Sequence, residues 1–237
     1  MSQPFQFKQF SVKQDASAMK IGTDGVLLGA WVQIDSSVGS ILDIGAGTGV
    51  IALQMAQRSA AELIDALEID DAAYEECTLN FENSPWADRL FCYHAGLLEF
   101  TEEIDEQYQL IVSNPPFYSE DFKTGKDKRD LARFSDAMPF EHLAVCAAHL
   151  LSEDGQFAVI IPAKEEDDFI ALAAQAGLFP VRICRVQGNP EADVKRVLLQ
   201  FSRQKLECSE ESLVIETDRH AYTEDYISLV KDFYLKL

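Results

Sequence analysis

Ser40-Ile41-Leu42-Asp43-Ile44-Gly45-Ala46-Gly47-Thr48-Gly49-Val50-Ile51-Ala52-Leu53 reads as strand, glycine turn and helix in immediate succession. Ile41, Leu42 and Ile44 make a short apolar run of the buried-strand type. The alternate glycines that follow let backbone approach a ligand where a Cβ would collide. A helix starting near Thr48 then offers free N–H groups to whatever sits above the carboxyl end of the strand, the geometry by which such turns hold nucleotide-like molecules.

Spacing narrows the ligand. The dinucleotide fingerprint G-x-G-x-x-G needs a glycine at position 50, where this chain has Val50. Asp43-x-Gly45-x-Gly47-x-Gly49 instead resembles the D-x-G-x-G-x-G turn of class I methyltransferases, which implies that Asp43, Gly45, Gly47 and Gly49 bind S-adenosyl-L-methionine. Further on, Ile64-Asp65-Ala66-Leu67-Glu68 gives a second buried strand ending in a carboxylate, and Glu68 is placed to accept both ribose hydroxyls.

Composition bounds the rest. A chain of 237 residues buries roughly 70 to 75% of the surface its unfolded form exposes, so one compact domain is the simplest reading. The expected division is 1–237 as a single methyltransferase domain, with 1–35 an N-terminal extension, 36–203 the Rossmann-like core and 204–237 a C-terminal extension. There is no run of eighteen apolar residues and no signal-peptide core, so the expectation is a soluble, cytoplasmic protein without a membrane partner. Cys77, Cys92, Cys146, Cys184 and Cys208 are widely spaced and mostly flanked by apolar residues, and the four histidines show no ligand spacing; no disulfide and no metal is expected.

Charge pulls against a nucleic-acid partner. The net charge is −20, whereas phosphate binding needs a basic face. One stretch departs from this balance: Asp121 to Arg133 carries five Lys or Arg against three Asp, a local +2. Lys123, Lys126, Lys128, Arg129 and Arg133 are the candidate phosphate contacts, and a solvated mixed-charge loop is the alternative.

Along the chain, Phe5, Phe7 and Phe10 suggest a short strand or hairpin, and Thr23-Asp24, bracketed by Gly22 and Gly25, is placed either to cap an apolar helix or to touch a ligand. Strands are expected at 40–45, 62–68, 89–94, 108–113 and 156–162, with helices after the first, second and fourth. Phe140, Leu143, Ala144, Ala147 and Leu151 mark one helical face, and Phe169, Leu172, Ala173 and Ala176 another. Strands near 181–187 and 194–202 are separated only by 188–193, so they should pair antiparallel. A terminal helix is expected around Ile227 to Tyr234. The fold class is α/β: a Rossmann-like, mainly parallel seven-stranded sheet with an antiparallel last strand and helices on both faces.

The second motif carries the chemistry. Asn114-Pro115-Pro116-Phe117-Tyr118 leaves the strand Leu110-Ile111-Val112-Ser113, and its consecutive prolines remove two N–H donors and hold the backbone extended. The Asn114 amide oxygen and the Pro115 carbonyl are left as acceptors facing the proposed methyl donor across the switch point. An exocyclic amine is a poor nucleophile because its lone pair is delocalised; two acceptors gripping its hydrogens orient that lone pair and stabilise the charge that develops. Phe117 is available to stack on a flat substrate.

Asn-Pro-Pro-Phe after such a turn resembles the N-methyltransferases of adenine N6, guanine N2 or glutamine side chains. Phe7-Lys8-Gln9-Phe10, Ala18-Met19-Lys20-Ile21-Gly22-Thr23-Asp24-Gly25-Val26-Leu27-Leu28-Gly29-Ala30-Trp31, Asn83-Ser84-Pro85-Trp86-Ala87 and Arg196-Val197-Leu198-Leu199 are similar to the bacterial tRNA1(Val) (adenine(37)-N6)-methyltransferase family, over nearly the whole chain. That resemblance implies a tRNA partner, Thr23 near the methionine portion of the donor, Asp43 and its glycines around it, Glu68 on the ribose, and Asn114, Pro115 and Phe117 on the target adenine. Where the family usually carries an acidic residue after the third strand, near the donor adenine, this chain has Ala95-Gly96. Rival readings are methylation of rRNA guanine N2 or of a release-factor glutamine, a nicotinamide oxidoreductase, disfavoured by Val50, and a nucleotide-binding module without catalysis.

Overall fold

The computed structural model describes residues 3–17, 20–116 and 138–236. The strand that leads into the glycine turn is β3 (Ser40–Ile44), in which Ile41, Leu42 and Ile44 are fully buried. β4 (Leu63–Glu68) and β6 (Tyr108–Ser113) flank it in parallel, with β5 (Leu90–His94) beyond β4 and β7 (Leu151–Pro162) beyond β6. β9 (Val194–Ser202) runs antiparallel between β7 and β8 (Phe179–Gln187), as the short 188–193 connection requires. Among the described residues the sheet order is β10-β8-β9-β7-β6-β3-β4-β5. The first connection reversal therefore falls between β3 and β6, and their carboxyl ends open a crevice of the kind in which α/β folds hold ligands.

The period of two in the strands sorts side chains onto opposite faces. Ile41, Leu110, Val112, Ala158 and Ile160 point into one core, with α1 (Thr23–Trp31), α2 (Val50–Arg58) and α3 (Asp71–Glu82). Leu42, Ile44, Ile111, Phe157, Val159 and Ile161 point into the other, with α4 (Leu97–Glu103), α5 (Phe140–Leu150) and α6 (Glu166–Gln175). The terminal segments close the first core. Phe7 and Phe10, beside the hairpin of β1 (Phe5–Gln6) and β2 (Ser11–Val12), share it with Tyr226, Val230 and Phe233. Lys8 N–H donates to Phe233 O at 2.8 Å.

Several expectations change. An eighth strand, β10 (Ser209–Val214), pairs parallel with β8 at the sheet edge. Its sequence Ser-Glu-Glu-Ser has no apolar alternation because four of its residues are exposed, and the charge guards an open edge. α4 occupies the third connection, where Leu97 and Phe100 are its only buried residues, too few to show a period. β7 begins at Leu151, earlier than expected, with an irregular register opposite Tyr108 and Leu110, so Leu151 belongs to a strand and not to the helical face. The terminal helix α7 (Glu224–Val230) starts sooner than the apolar cluster suggested, behind the hairpin of β11 (Glu216–Asp218) and β12 (Ala221–Tyr222). Thr23 and Asp24 do not cap α1. Gly22 is the N-cap, without a side-chain bond, and Asp24 in the first turn accepts from Arg196 Nε at 2.8 Å.

Gly49 is closely enclosed by α3. It ends the turn at φ 79°, and a Cβ there would lie 2.6 Å from Phe81 Cε1 and 2.8 Å from Cys77 Sγ on α3. Gly49→Ala should lower stability by about 2 kcal/mol or more, since backbone strain and overpacking add; urea denaturation measures it, and a loss below about 0.5 kcal/mol would contradict the crowding.

Candidate active site

The turn after β3 is held by its own neighbours. Gly45, Gly47 and Gly49 take φ of 73°, 55° and 79°. The Gly45 and Ala46 N–H groups donate to Leu67 O at 3.0 and 2.9 Å, fixing the turn to the end of β4. Glu68 then completes the brace: its Oε2 accepts from Gly47 N–H at 2.7 Å, and its Oε1 from the Ile69 and Asp70 N–H groups, each at 2.9 Å. A carboxylate has about four lone-pair positions, so three backbone donors fix its orientation and still leave capacity for a ligand hydroxyl.

Asp43 lies beneath this turn. It is fully buried, and its Oδ2 accepts from Ala52 N–H of α2 at 3.1 Å. The N-cap position of α2 is Gly49, which has no side chain to satisfy an orphan donor, and Asp43 supplies that acceptor from the preceding strand. Its Oδ1 is buried without a hydrogen-bond partner among the described residues. Burial pushes the carboxyl up to about 7, against the lowering bond from Ala52.

On the other side of the crevice, Ser113 Oγ donates to Ile44 O at 2.8 Å and joins the ends of β6 and β3. Asn114 follows, half-buried, while Pro115 is buried and Pro116 exposed. The start of α1 comes close: a Cβ on Gly25 would lie 3.9 Å from Asn114 Nδ2. Between these walls is a cavity of about 480 Å³, within the range of small-molecule sites.

Gly45, Gly47, Glu68 and Asn114 line that cavity together. Thr23 is exposed at the first position of α1, and Thr23, Asp43, Gly49 and Pro115 are not among the lining residues; Asp43 and Gly49 lie under the turn. Phe117, Lys123, Lys126, Lys128, Arg129 and Arg133 lie outside the described residues. Lining residues that sequence reasoning missed include Ser17, Ile69, Leu98, Glu99 and His142. Ile69 and Leu98 are 56% and 50% exposed, apolar side chains at the rim of a cavity and outside either core. Their signal was available, because Ile69 follows directly on the end of β4 and Leu98 lies two residues past Gly96, which faces the crevice. The cavity fits a nucleoside-bearing donor: turn backbone free of side chains, one tethered carboxylate and two apolar faces.

The comparisons agree with this geometry. Residues 21–170 match the family described as Methyltransferase small domain. A predicted O-methyltransferase from Agrobacterium tumefaciens superposes with a TM-score of 0.68 at 21% identity, covering 89% of this chain and 96% of that one. Ribosomal protein L11 methylase from Lactobacillus delbrueckii gives 0.53 at 17%, covering 76% and 77%. The fold and family together define a class I, S-adenosylmethionine-dependent methyltransferase. A protein of Flavobacterium psychrophilum named tRNA1(Val) (adenine(37)-N6)-methyltransferase is 64% identical over 98% of this chain and all of its own length, and one of Bacteroides fragilis with the same name is 44% identical over the whole of both. The chain belongs to the tRNA1(Val) (adenine(37)-N6)-methyltransferase family.

The raised Asp43 carboxyl carries a pH signature. In the folded protein it holds its proton up to about 7, whereas unfolded it ionises near 3.8, so this group makes the fold less stable as pH rises between those values. Asp43→Asn removes that dependence. The stability of the variant relative to the natural protein should climb by a few kcal/mol from about pH 4 to pH 7 and level off above. Denaturation midpoints at several pH values test this; parallel profiles would mean that Asp43 is ionised in the fold throughout.

Proposed function

We propose that this chain transfers a methyl group from S-adenosylmethionine to N6 of adenine 37 in tRNA1(Val). The observation that carries the reading is that Asn114, which opens Asn-Pro-Pro-Phe, lines the same cavity as Gly45, Gly47 and Glu68. The shared name of full-length relatives supports the substrate. When bound, the donor supplies a methyl group on an activated sulfonium, so neither a metal nor a covalent enzyme intermediate is required.

The residues divide the work. Glu68 accepts one ribose hydroxyl with the acceptor position that its three N–H partners leave. Ile69 and Leu98 enclose the donor adenine, and Glu99 in the first turn of α4 accepts from its amine, in place of the acidic residue that Ala95-Gly96 lacks. Asp43 and Gly49 act indirectly, by setting the turn, and Thr23 serves the methionine end from the start of α1. Asn114 Oδ1 and the Pro115 carbonyl accept from the target amine and aim its lone pair; as nitrogen bonds to the methyl carbon, the carbon–sulfur bond breaks, and the amine then gives up a proton to solvent. Phe117 stacks on the target base. An adenine in an anticodon loop is already unpaired, so extruding it costs less than flipping it from a duplex. A tRNA substrate makes the cytoplasm the place of action. No described helix is long and apolar enough to cross a membrane.

Phosphate contact falls to Lys123, Lys126, Lys128, Arg129 and Arg133. Support comes from the folded body, where six of the seven described arginines, all but Arg219, are engaged internally: Arg182 with Glu211, Arg185 with Glu166 and Glu210, Arg196 with Asp24, and Arg58, Arg89 and Arg203 with backbone carbonyls. With the acidic body repelling RNA, a basic segment beside the chemistry orients the approach.

Incubation with total RNA and labelled donor should yield N6-methyladenosine in tRNA, and Asn114→Ala should lower kcat by about 10² to 10³ while donor affinity stays near normal. Methylated guanine, or label on protein, would move the substrate to the rival classes. Neutralising Lys126, Lys128 and Arg129 together should weaken tRNA binding and flatten its salt dependence by about one unit of slope per lost contact, without changing donor binding; a wild-type slope would return the segment to a solvated loop.

A further inference from the structure

Two buried polar residues on α3 are not among the residues that line the cavity. Glu76 is 6% exposed and Asn80 2%. They are one helical turn apart and share a face. Glu76 Oε1 accepts from the Asp15 and Ala16 N–H groups at 2.6 and 3.1 Å, and its Oε2 accepts from Ser17 N–H at 2.9 Å. Asn80 Oδ1 accepts from Lys13 N–H at 2.8 Å, while its Nδ2 donates to Lys13 O at 3.0 Å and to Thr48 O at 2.9 Å. The last of these bonds reaches the glycine turn itself.

The segment they hold runs largely outside the hydrophobic cores. Lys13, Asp15 and Ala16 are exposed, so hydrophobic burial does not keep them in place. Ser17, the next residue, is buried and lines the cavity. Gln14 Oε1 accepts from Ile21 N–H at 2.9 Å, which carries the constraint onward to the start of α1. A carboxylate buried for stability alone is a poor investment, because its desolvation offsets most of what its bonds return. Three successive backbone donors on one carboxylate instead define where a segment of chain must lie.

We infer that Glu76 and Asn80 are positioning residues for the methyl donor: they hold the segment from Lys13 that places Ser17 in the wall of the donor cavity, and lock that wall to the turn through Thr48. The inference rests on the reading of this cavity as the donor site. Neither residue touches the donor. Their loss therefore releases the wall, so that donor is held less tightly while Asn114 and the target-amine chemistry remain as they were.

The test is calorimetric binding of S-adenosylhomocysteine, the inert product, together with donor KM and kcat. Glu76→Ala should raise both Kd and donor KM about tenfold or more, with kcat at saturating donor within about threefold of natural. Glu76→Gln, which keeps an acceptor oxygen for two of the three N–H groups, should fall between, and Asn80→Ala should resemble Glu76→Ala. Failure of the natural protein to bind the product would overturn the donor reading itself. Natural binding together with unchanged Kd and KM in Glu76→Ala would overturn only the positioning role. Should the variants not fold, hydrogen exchange on the natural protein decides: product binding should slow exchange at Asp15, Ala16 and Ser17, and exchange unchanged by saturating product would refute the coupling.

Discussion

The bond between the buried Asp43 carboxylate and the Ala52 N–H fixes the direction in which α2 leaves the glycine turn. A helix start with no capping side chain leaves orphan N–H groups, and a turn built of glycines resists unfolding weakly because each glycine is free to adopt many conformations. Asp43 answers the first difficulty by reaching under the turn from β3. The second is answered from outside: Leu67 O, Glu68 and Asn80 take hold of Gly45, Ala46, Gly47 and Thr48 one after another. The turn is flexible by sequence and fixed by its surroundings, which is how it presents backbone to a ligand without blocking it.

That arrangement explains why polar residues recur beneath an apolar sheet. Ser113 joins β6 to β3 through Ile44 O, so the strand that delivers Asn114 and the strand that delivers the glycines cannot slide independently. On the far side of the sheet centre, Tyr108 donates to Asp65 at 2.6 Å, joining β6 to β4 around β3; burial raises the Asp65 carboxyl to about 6 and raises the Tyr108 hydroxyl as well. Relative strand position is thus set by hydrogen bonds as well as by packing, and the crevice between β3 and β6 inherits that definition.

Charge organises the exterior by the same economy. The chain is strongly acidic, yet its arginines in the folded body hold elements together: Arg185 bridges Glu166 on α6 and Glu210 on β10, and Arg182 lies over Trp31 at 4.3 Å while pairing with Glu211. The acidic edge strand β10 is docked by its backbone pairing with β8 and by these contacts, with Leu213 as its one buried side chain. Its position at the end of the sheet leaves the carboxyl-end crevice open.

Much of this was legible in the sequence. The glycine turn, its carboxylate partner at Glu68, five parallel strands, the antiparallel pair and the Asn-Pro-Pro-Phe motif are local patterns, governed by period, spacing and backbone chemistry over a few residues. What the sequence left open depends on distance. β10 has no strand pattern because its partner supplies the pairing, and α4 is too short to show a period. Asp43 was read as part of a ligand turn, and only the fold shows its carboxylate directed at Ala52 beneath it. Ser17, Glu76 and Asn80 lie on segments far apart in the chain, and nothing in their local sequence records that one carboxylate collects three N–H groups some sixty positions earlier. Local chemistry determined which ligand class the turn can take; long-range hydrogen bonding, which has no sequence period, decided what walls the turn would face.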